Sequence, residues 1–310
     1  MKTILCFLAA TVLFSPGLHA QKTLDWDAGP LPEDQLKTVQ FRGWIPGGDG
    51  PLNGVVVLIP GRHGDGRGMA DDPHWQALAT DVRFAILACR FADGDPFAYQ
   101  GDQGPLCKVI NQAVEKLAQD SAHEELRKAP LALWGHSAGS NVSVRYCTYF
   151  PERVAAFASI RGTCGPGADM PPGKAEIPIF IATGGKDKPD WVQDALKNYE
   201  AGRQKHAVWT LALNPNEGHD IGKSMDVAIP FLRSAIRKRL SLDDTGHGSL
   251  QTQGSGQVHL ERISFQSGWL GDPKTYDIAV NNDFHGKRHE AVWLPDEDVA
   301  KAWQLYLRGN

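Results

Sequence analysis

Apolar residues along this chain fall into short continuous runs, and longer amphipathic stretches lie between them. GVVVLIPG (54–61) is rich in Val and Ile, the pattern of a strand buried on both faces. DPHWQALATDV (72–82) spaces its apolar residues at helical intervals, and FAILACRF (84–91) returns to strand. The alternation continues through a helix at 106–119, a strand at 129–136, a helix at 138–150 and a strand at 154–162. A strand at 177–185, a helix near 190–204, a strand at 207–215 and a helix near 221–239 complete it. Regular alternation of this kind predicts an α/β fold, a doubly wound and mostly parallel sheet covered on both faces. KTVQFRGWIP (37–46) adds an earlier antiparallel strand. Beyond Leu240 the pattern breaks. SLDDTGHGSLQTQGSGQ (241–257) reads as a linker or long loop, and strand-like segments near 258–265 and 275–280 precede a helix at 296–308. The expectation is a main domain over 21–240 and a small C-terminal appendage over 241–310.

Composition narrows the field without deciding it. The 310 residues are 42% hydrophobic and 22% charged, with a formal net charge of −4. That balance suits a soluble globular protein and gives no basic surface for nucleic acid or an anionic membrane. Residues 1–20 stand apart: Lys2, an apolar run from Thr3 to Phe14, a Ser15-Pro16-Gly17 break and a small Ala20 before Gln21. These are the marks of a signal peptide, with an apolar run too short to span a bilayer. The expected mature chain is exported to the periplasm or beyond, with no membrane attachment after cleavage. Cys6 lies inside the apolar run. Cys89, Cys107, Cys147 and Cys164 then form an even set in an oxidising compartment, which predicts one or two disulfides, with Cys89–Cys107 the chosen pairing and buried thiols the alternative. Nothing resembles C-x-x-C.

One stretch carries chemistry. LALWGHSAGSNVSVRY (131–146) places Ser137 at a strand-to-helix corner between Gly135 and Gly139. A helix-capping serine has no need of two flanking glycines, whereas an exposed nucleophile on a tight turn does. The start of the following helix adds partial positive charge and free N–H groups beside the hydroxyl. A serine hydroxyl needs a base, and His219 follows the last core strand in NPNEGHDIG (214–222). The imidazole in turn needs a carboxylate to orient it. IPIFIATGGKDKPDW offers Asp187 in the turn after a strand, with Asp190 in reserve as the cap of a helix starting at Trp191. Two N–H groups must face the developing oxyanion; Ala138 supplies one, and Arg62, or failing it His63, supplies the other. The loop GRHGDGRG lacks the residues of a phosphate loop and of a dinucleotide fingerprint, so no cofactor and no metal is expected. Asn141-Val142-Ser143 matches a glycosylation site but falls in the helix behind Ser137, and Trp75, Trp134, Trp191 and Trp209 read as core or pocket wall.

LWGHSAGS, GGKD and EGHDIGKSMDVAIPFL carry a family likeness. From about 37 to 240 the chain resembles the α/β-hydrolase superfamily, whose chain order of nucleophile, acid and histidine is matched by Ser137, Asp187 and His219. Within it, the sequence is similar to secreted bacterial esterases related to dienelactone hydrolases and polyhydroxybutyrate depolymerases. Ser137 stands where dienelactone hydrolases usually have cysteine, so lactone chemistry is not implied. The short connection TCGPGADMPPGKAE (163–176) takes the place of the helical lid of many lipases, which favours small-molecule or polymer-borne esters over emulsified fat. The resemblance implies an exported serine esterase. A serine peptidase for short peptides uses the same residues, and a non-catalytic binding protein on the same fold is the reading from another class.

Overall fold

In the computed structural model, residues 20–30, 36–93, 104–162, 176–248 and 258–309 are described. Eight strands form one sheet: β1 (Lys22–Asp27), β2 (Leu36–Ile45), β3 (Gly54–Ile59), β4 (Phe84–Asp93), β5 (Leu131–His136), β6 (Val154–Ile160), β7 (Ile179–Gly184) and β8 (Trp209–Asn214). Their spatial order is β1-β2-β4-β3-β5-β6-β7-β8. The six strands from β4 to β8 are mutually parallel, while β2 runs antiparallel to both β4 and β1. The helices are α1 (Pro73–Val82), α2 (Gly104–Ser121), α3 (Ala138–Tyr149), α4 (Pro189–Arg203), α5 (Met225–Leu240) and α6 (Glu297–Arg308). α1 packs with α5 and α2 with α3, so helix pairs flank the sheet. Every residue of β3 is buried, as its unbroken apolar run requires. Among the described residues no helix is long and apolar enough to cross a membrane.

The chain leaves β3 for β4 on one side and later returns to β5 on the other. Between β3 and β5 the direction of winding reverses, and in open α/β sheets the crevice beyond the strand ends at such a point is the natural place for a ligand. Ser137 follows β5 there, and the 60–66 loop follows β3.

The structure departs from the sequence reading at several places. β1 was not anticipated: KTLDWD has only two apolar residues, Leu24 and Trp26, and Trp26 gains its partner by stacking on Phe41 at 5.5 Å. The segment 258–265 is not a strand. It lies along α5, where Arg239 donates to the carbonyls of Leu260 and Glu261 and the Glu261 N–H returns to the Arg239 carbonyl at 2.7 Å. The strand expected at 275–280 shortens to β10 (Ile278–Val280), because Asp272 accepts the Lys274 N–H (2.8 Å) and turns the preceding residues. β10 joins β9 (Trp269–Gly271) and β11 (Val292–Leu294), neither anticipated, in a small sheet of order β10-β9-β11. Finally, the Cys89–Cys107 disulfide is not formed. Cys89, on β4, is a fully buried thiol pushed up by loss of water, whereas Cys107, on α2, lies in the electrostatic neighbourhood of Cys147 on α3. Cys164, the signal-like segment, most of the 241–257 linker and nearly all of the 163–176 connection lie outside the described residues.

The C-terminal elements share the apolar core of the sheet. Trp293, Leu294, Val299, Trp303 and Leu307 belong to the same buried cluster as Val57, Trp134 and Ile181. They also fasten onto β8, the edge strand: Trp303 Nε1 donates to the Leu211 carbonyl (2.7 Å), Thr210 Oγ1 to the Trp293 carbonyl, and Asn214 Nδ2 to the Tyr306 carbonyl (3.1 Å). Covering the edge in this way removes a template for intermolecular pairing.

Candidate active site

β5 ends at His136 and α3 starts at Ala138, leaving Ser137 alone at the corner with φ 52° and ψ −119°. A non-glycine residue in this region is strained by roughly 1–3 kcal/mol, held here by surrounding bonds. The Ser137 N–H donates to the Ile160 carbonyl (2.8 Å), tying the corner to β6, and the Ser140 hydroxyl donates to the Gly135 carbonyl (2.6 Å). The glycine pair follows from packing. A Cβ on Gly139 would sit 2.2 Å from the Ile59 carbonyl oxygen, and one on Gly135 would sit 2.6 Å from the Gly139 carbonyl. Neither position has room for a side chain.

The loop after β7 supplies the carboxylate. The Gly185 N–H donates to the Asn214 carbonyl (2.8 Å) and the Asp187 N–H to the Gly184 carbonyl (3.0 Å), which closes the turn that presents Asp187. Asp187 is one residue from exposed loop, yet its side chain is only 6% exposed. Oδ1 accepts the Lys188 N–H (2.8 Å), which fixes the carboxylate plane, and Oδ2 faces His219 Nδ1 at 2.7 Å. His219 Nε2 lies 2.8 Å from Ser137 Oγ. Three residues distant in sequence thus form one hydrogen-bonded chain. Asp190 is not part of it. α4 begins at Pro189, whose ring presets the first helical φ, so Asp190 falls in the first turn and is exposed instead of capping a helix at Trp191.

The oxyanion candidates lie on the near side of Ser137. Ala138 is the first residue of α3, where a backbone N–H has no acceptor within the helix. Gly61 comes so close that a Cβ there would be 2.9 Å from His136 Nδ1 and 3.5 Å from Ser137 Cβ. Arg62 and His63 follow it in a turn closed by the Gly64 N–H on the Gly61 carbonyl (2.9 Å), with His63 at φ 58°.

No family model matches the chain, and no curated protein matches it. Solved structures do. A ferulic acid esterase superposes with a TM-score of 0.53 at 9% identity, covering 71% of this chain and 99% of that one. A bacterial heroin esterase gives 0.51 at 13% identity, covering 70% and 84%. A cold-adapted esterase from an Arctic intertidal metagenomic library gives 0.50 at 12% identity, covering 70% and 94%. The fold is that of the α/β-hydrolases.

Within this α/β-hydrolase fold, several residues around His219 escaped the sequence reading. His136 Nε2 donates to the His219 carbonyl (2.9 Å), and burial pushes the His136 imidazolium below its ordinary range, so the ring serves as a neutral donor. Trp191, by contrast, was read from the sequence as core or pocket wall, and its ring packs 5.0 Å from that of His219, with the Lys188 ammonium 4.0 Å from the Trp191 centroid; Trp75, Trp134 and Trp209 are core. Behind the His219 loop lie Arg161, Glu217 and Tyr306, joined side chain to side chain. Arg161 did leave a signal in the sequence. A charged residue directly after the strand VAAFASI, in which Ser159 is the one polar residue, is rarely buried without a dedicated partner.

Proposed function

We propose that the protein is an exported serine hydrolase that cleaves carboxylic esters of small molecules or polymer chains. The observation that carries this reading is the chain Ser137 Oγ–His219 Nε2 (2.8 Å) and His219 Nδ1–Asp187 Oδ2 (2.7 Å). His219 Nε2 accepts the hydroxyl proton as Ser137 Oγ attacks the ester carbonyl, and Asp187 holds the Nδ1 proton in place and stabilises the imidazolium. The N–H groups of Ala138 and Arg62 receive the charge that develops on the carbonyl oxygen. Collapse expels the alcohol, protonated by His219, and leaves an acyl group on Ser137. A water molecule, deprotonated by His219, then attacks the acyl carbon; the proton returns to Ser137 Oγ as the acid leaves. Esterase neighbours among solved structures support the ester class through their shared fold. Residues 1–20 support export by their composition.

A fluorophosphonate probe should label wild-type protein at Ser137, and Ser137→Ala should lose labelling and about a thousandfold or more of ester turnover while keeping its circular dichroism spectrum. Retention of more than about a tenth of the activity would remove Ser137 from the nucleophile role. A panel of p-nitrophenyl esters beside aminoacyl anilides separates esterase from peptidase, with the esters expected to turn over. N-terminal sequencing of protein recovered from an expressing bacterium should begin near Gln21.

A further inference from the structure

We propose that Arg161, Glu217 and Tyr306 form a positioning cluster that holds the His219 loop in register with Ser137, making helix α6 part of the active-site support. The proposal rests on the serine-hydrolase reading above.

His219 sits between β8 and α5 in a stretch without regular structure, and its side chain is 36% exposed. Such loops are ordinarily mobile, yet proton transfer needs the imidazole within tenths of an ångström of its place, since a 1 Å error costs on the order of a hundredfold. Each of the four successive residues 217 to 220 is held by a contact from another element. The Glu217 carbonyl accepts the Lys186 N–H (2.9 Å), from the loop that bears Asp187. A Cβ on Gly184 would strike the Gly218 carbonyl at 2.2 Å, so the two loops are in direct backbone contact. The His219 carbonyl accepts from His136 Nε2. The Asp220 carbonyl accepts from Arg161 Nε (3.0 Å), while Arg161 Nη2 reaches back to the Glu217 carboxylate. One guanidinium thus grips the segment on both sides of His219.

Arg161 is itself buried and tied to the sheet. It is 1% exposed, stands at the end of β6 with φ 53°, and its N–H donates to the Ala182 carbonyl of β7 at 2.8 Å. Glu217 Oε2 also accepts the Tyr306 hydroxyl, and Oε1 accepts the Lys223 N–H (3.0 Å). Tyr306 comes from α6, some ninety residues further along the chain, and burial pushes its phenol up to about 12, so it remains a donor. A buried ion pair contributes little net stability relative to an apolar core of the same shape. What a forked guanidinium between a carbonyl and a carboxylate does supply is one fixed geometry, which a lysine ammonium cannot reproduce.

The test uses the full mature chain, with kcat and KM on a soluble p-nitrophenyl ester, the Tm, and the downfield proton resonance of His219 Nδ1–H. Glu217→Gln should lower kcat about tenfold with KM changed less than about twofold, and should broaden or abolish that resonance. Tyr306→Phe should act in the same direction more weakly. The double variant should lose little beyond Glu217→Gln, because both changes act through one carboxylate. Arg161→Lys should resemble Glu217→Gln and not wild type. Asp72→Ala, which removes the cap of the distant helix α1, should lower Tm without touching kcat or the resonance. Folded cluster variants with wild-type kcat and an unchanged resonance would overturn the proposal, as would kcat losses matched by Asp72→Ala at equal Tm. If wild type neither turns over esters nor takes the fluorophosphonate label, the functional reading falls, and the resonance alone then decides whether the cluster positions His219.

Discussion

Asp187 and Asp190 are three residues apart, chemically identical, and in entirely different situations. Asp187 has both oxygens engaged, one by the Lys188 N–H and one by His219, and its own side chain is almost closed to water; Asp190 is exposed in the first turn of α4. Asp187→Asn presents an amide where the imidazolium needs a negative charge, and should lower kcat by about 10⁴-fold. Asp190→Asn removes only a favourable charge at a helix start, about 0.3–1 kcal/mol of stability, and should leave kcat unchanged. Steady-state kinetics and thermal melts on both variants check this, and a reversed outcome would make Asp190 the acid. His136 makes a pH prediction. Its folded pKa lies below the ordinary 6.5 because burial disfavours the cation. Above pH 6.5 neither folded nor unfolded chain binds the proton. Below it the unfolded chain does and the folded one does not, so stability is lost on acidification until the folded pKa is reached. His136→Gln keeps a donor for the His219 carbonyl without the titration. Its unfolding free energy from urea titration should fall less steeply than that of wild type below pH 6.5, by up to about 1.4 kcal/mol per pH unit.

At the scale of elements, the corner between β5 and α3 depends on β3 as much as on its own residues. Gly139 lets α3 rest directly on the carbonyls of Ile59 and Pro60, and the same approach brings Gly61 against Ser137. Gly139→Ala forces backbone, not a flexible side chain, to yield. It should destabilise the protein by about 3 kcal/mol and reduce turnover in the surviving folded fraction, measured by urea denaturation and active-site titration. Most element positions were legible because period and composition agreed: β3 is an unbroken apolar run, β4 opens with the apolar run 84–89 and β7 with 179–182, each bounded by Pro, Gly or a polar or charged residue. Ser137, Asp187 and His219 could be picked out from the sequence as well, each standing just past a strand, and the fold brings the three into hydrogen-bond contact. What failed was the tail. β9 and β11 are three residues long, below the length at which alternation can be recognised, and 258–265 has a strand's pattern but spends its backbone on Arg239.

Across the whole molecule, one core joins the sheet to residues that follow it by a hundred positions. Trp303 is fully buried and donates to the Leu211 carbonyl of β8, so it belongs to the packing of the edge strand as much as to α6. Trp303→Ala should cost about 3–5 kcal/mol. Because the cluster is continuous, calorimetry should show a single unfolding transition shifted downward; two separate transitions would contradict the shared core. The same continuity explains how Tyr306 comes to touch the loop of His219.

The sequence by itself determined the alternation of elements, the parallel sheet, and the residue types at the ends of β5, β7 and β8, since all of these depend on local periodicity and local turn chemistry. Tertiary structure decided what depends on distance in space. It separated Asp187 from Asp190 by where α4 begins, left Cys89 and Cys107 unbridged on different surroundings, and brought Arg161, Glu217 and Tyr306 to one point behind His219. No local pattern encodes a bond between residues 161, 217 and 306. Only the closing of α6 over the edge of the sheet makes one.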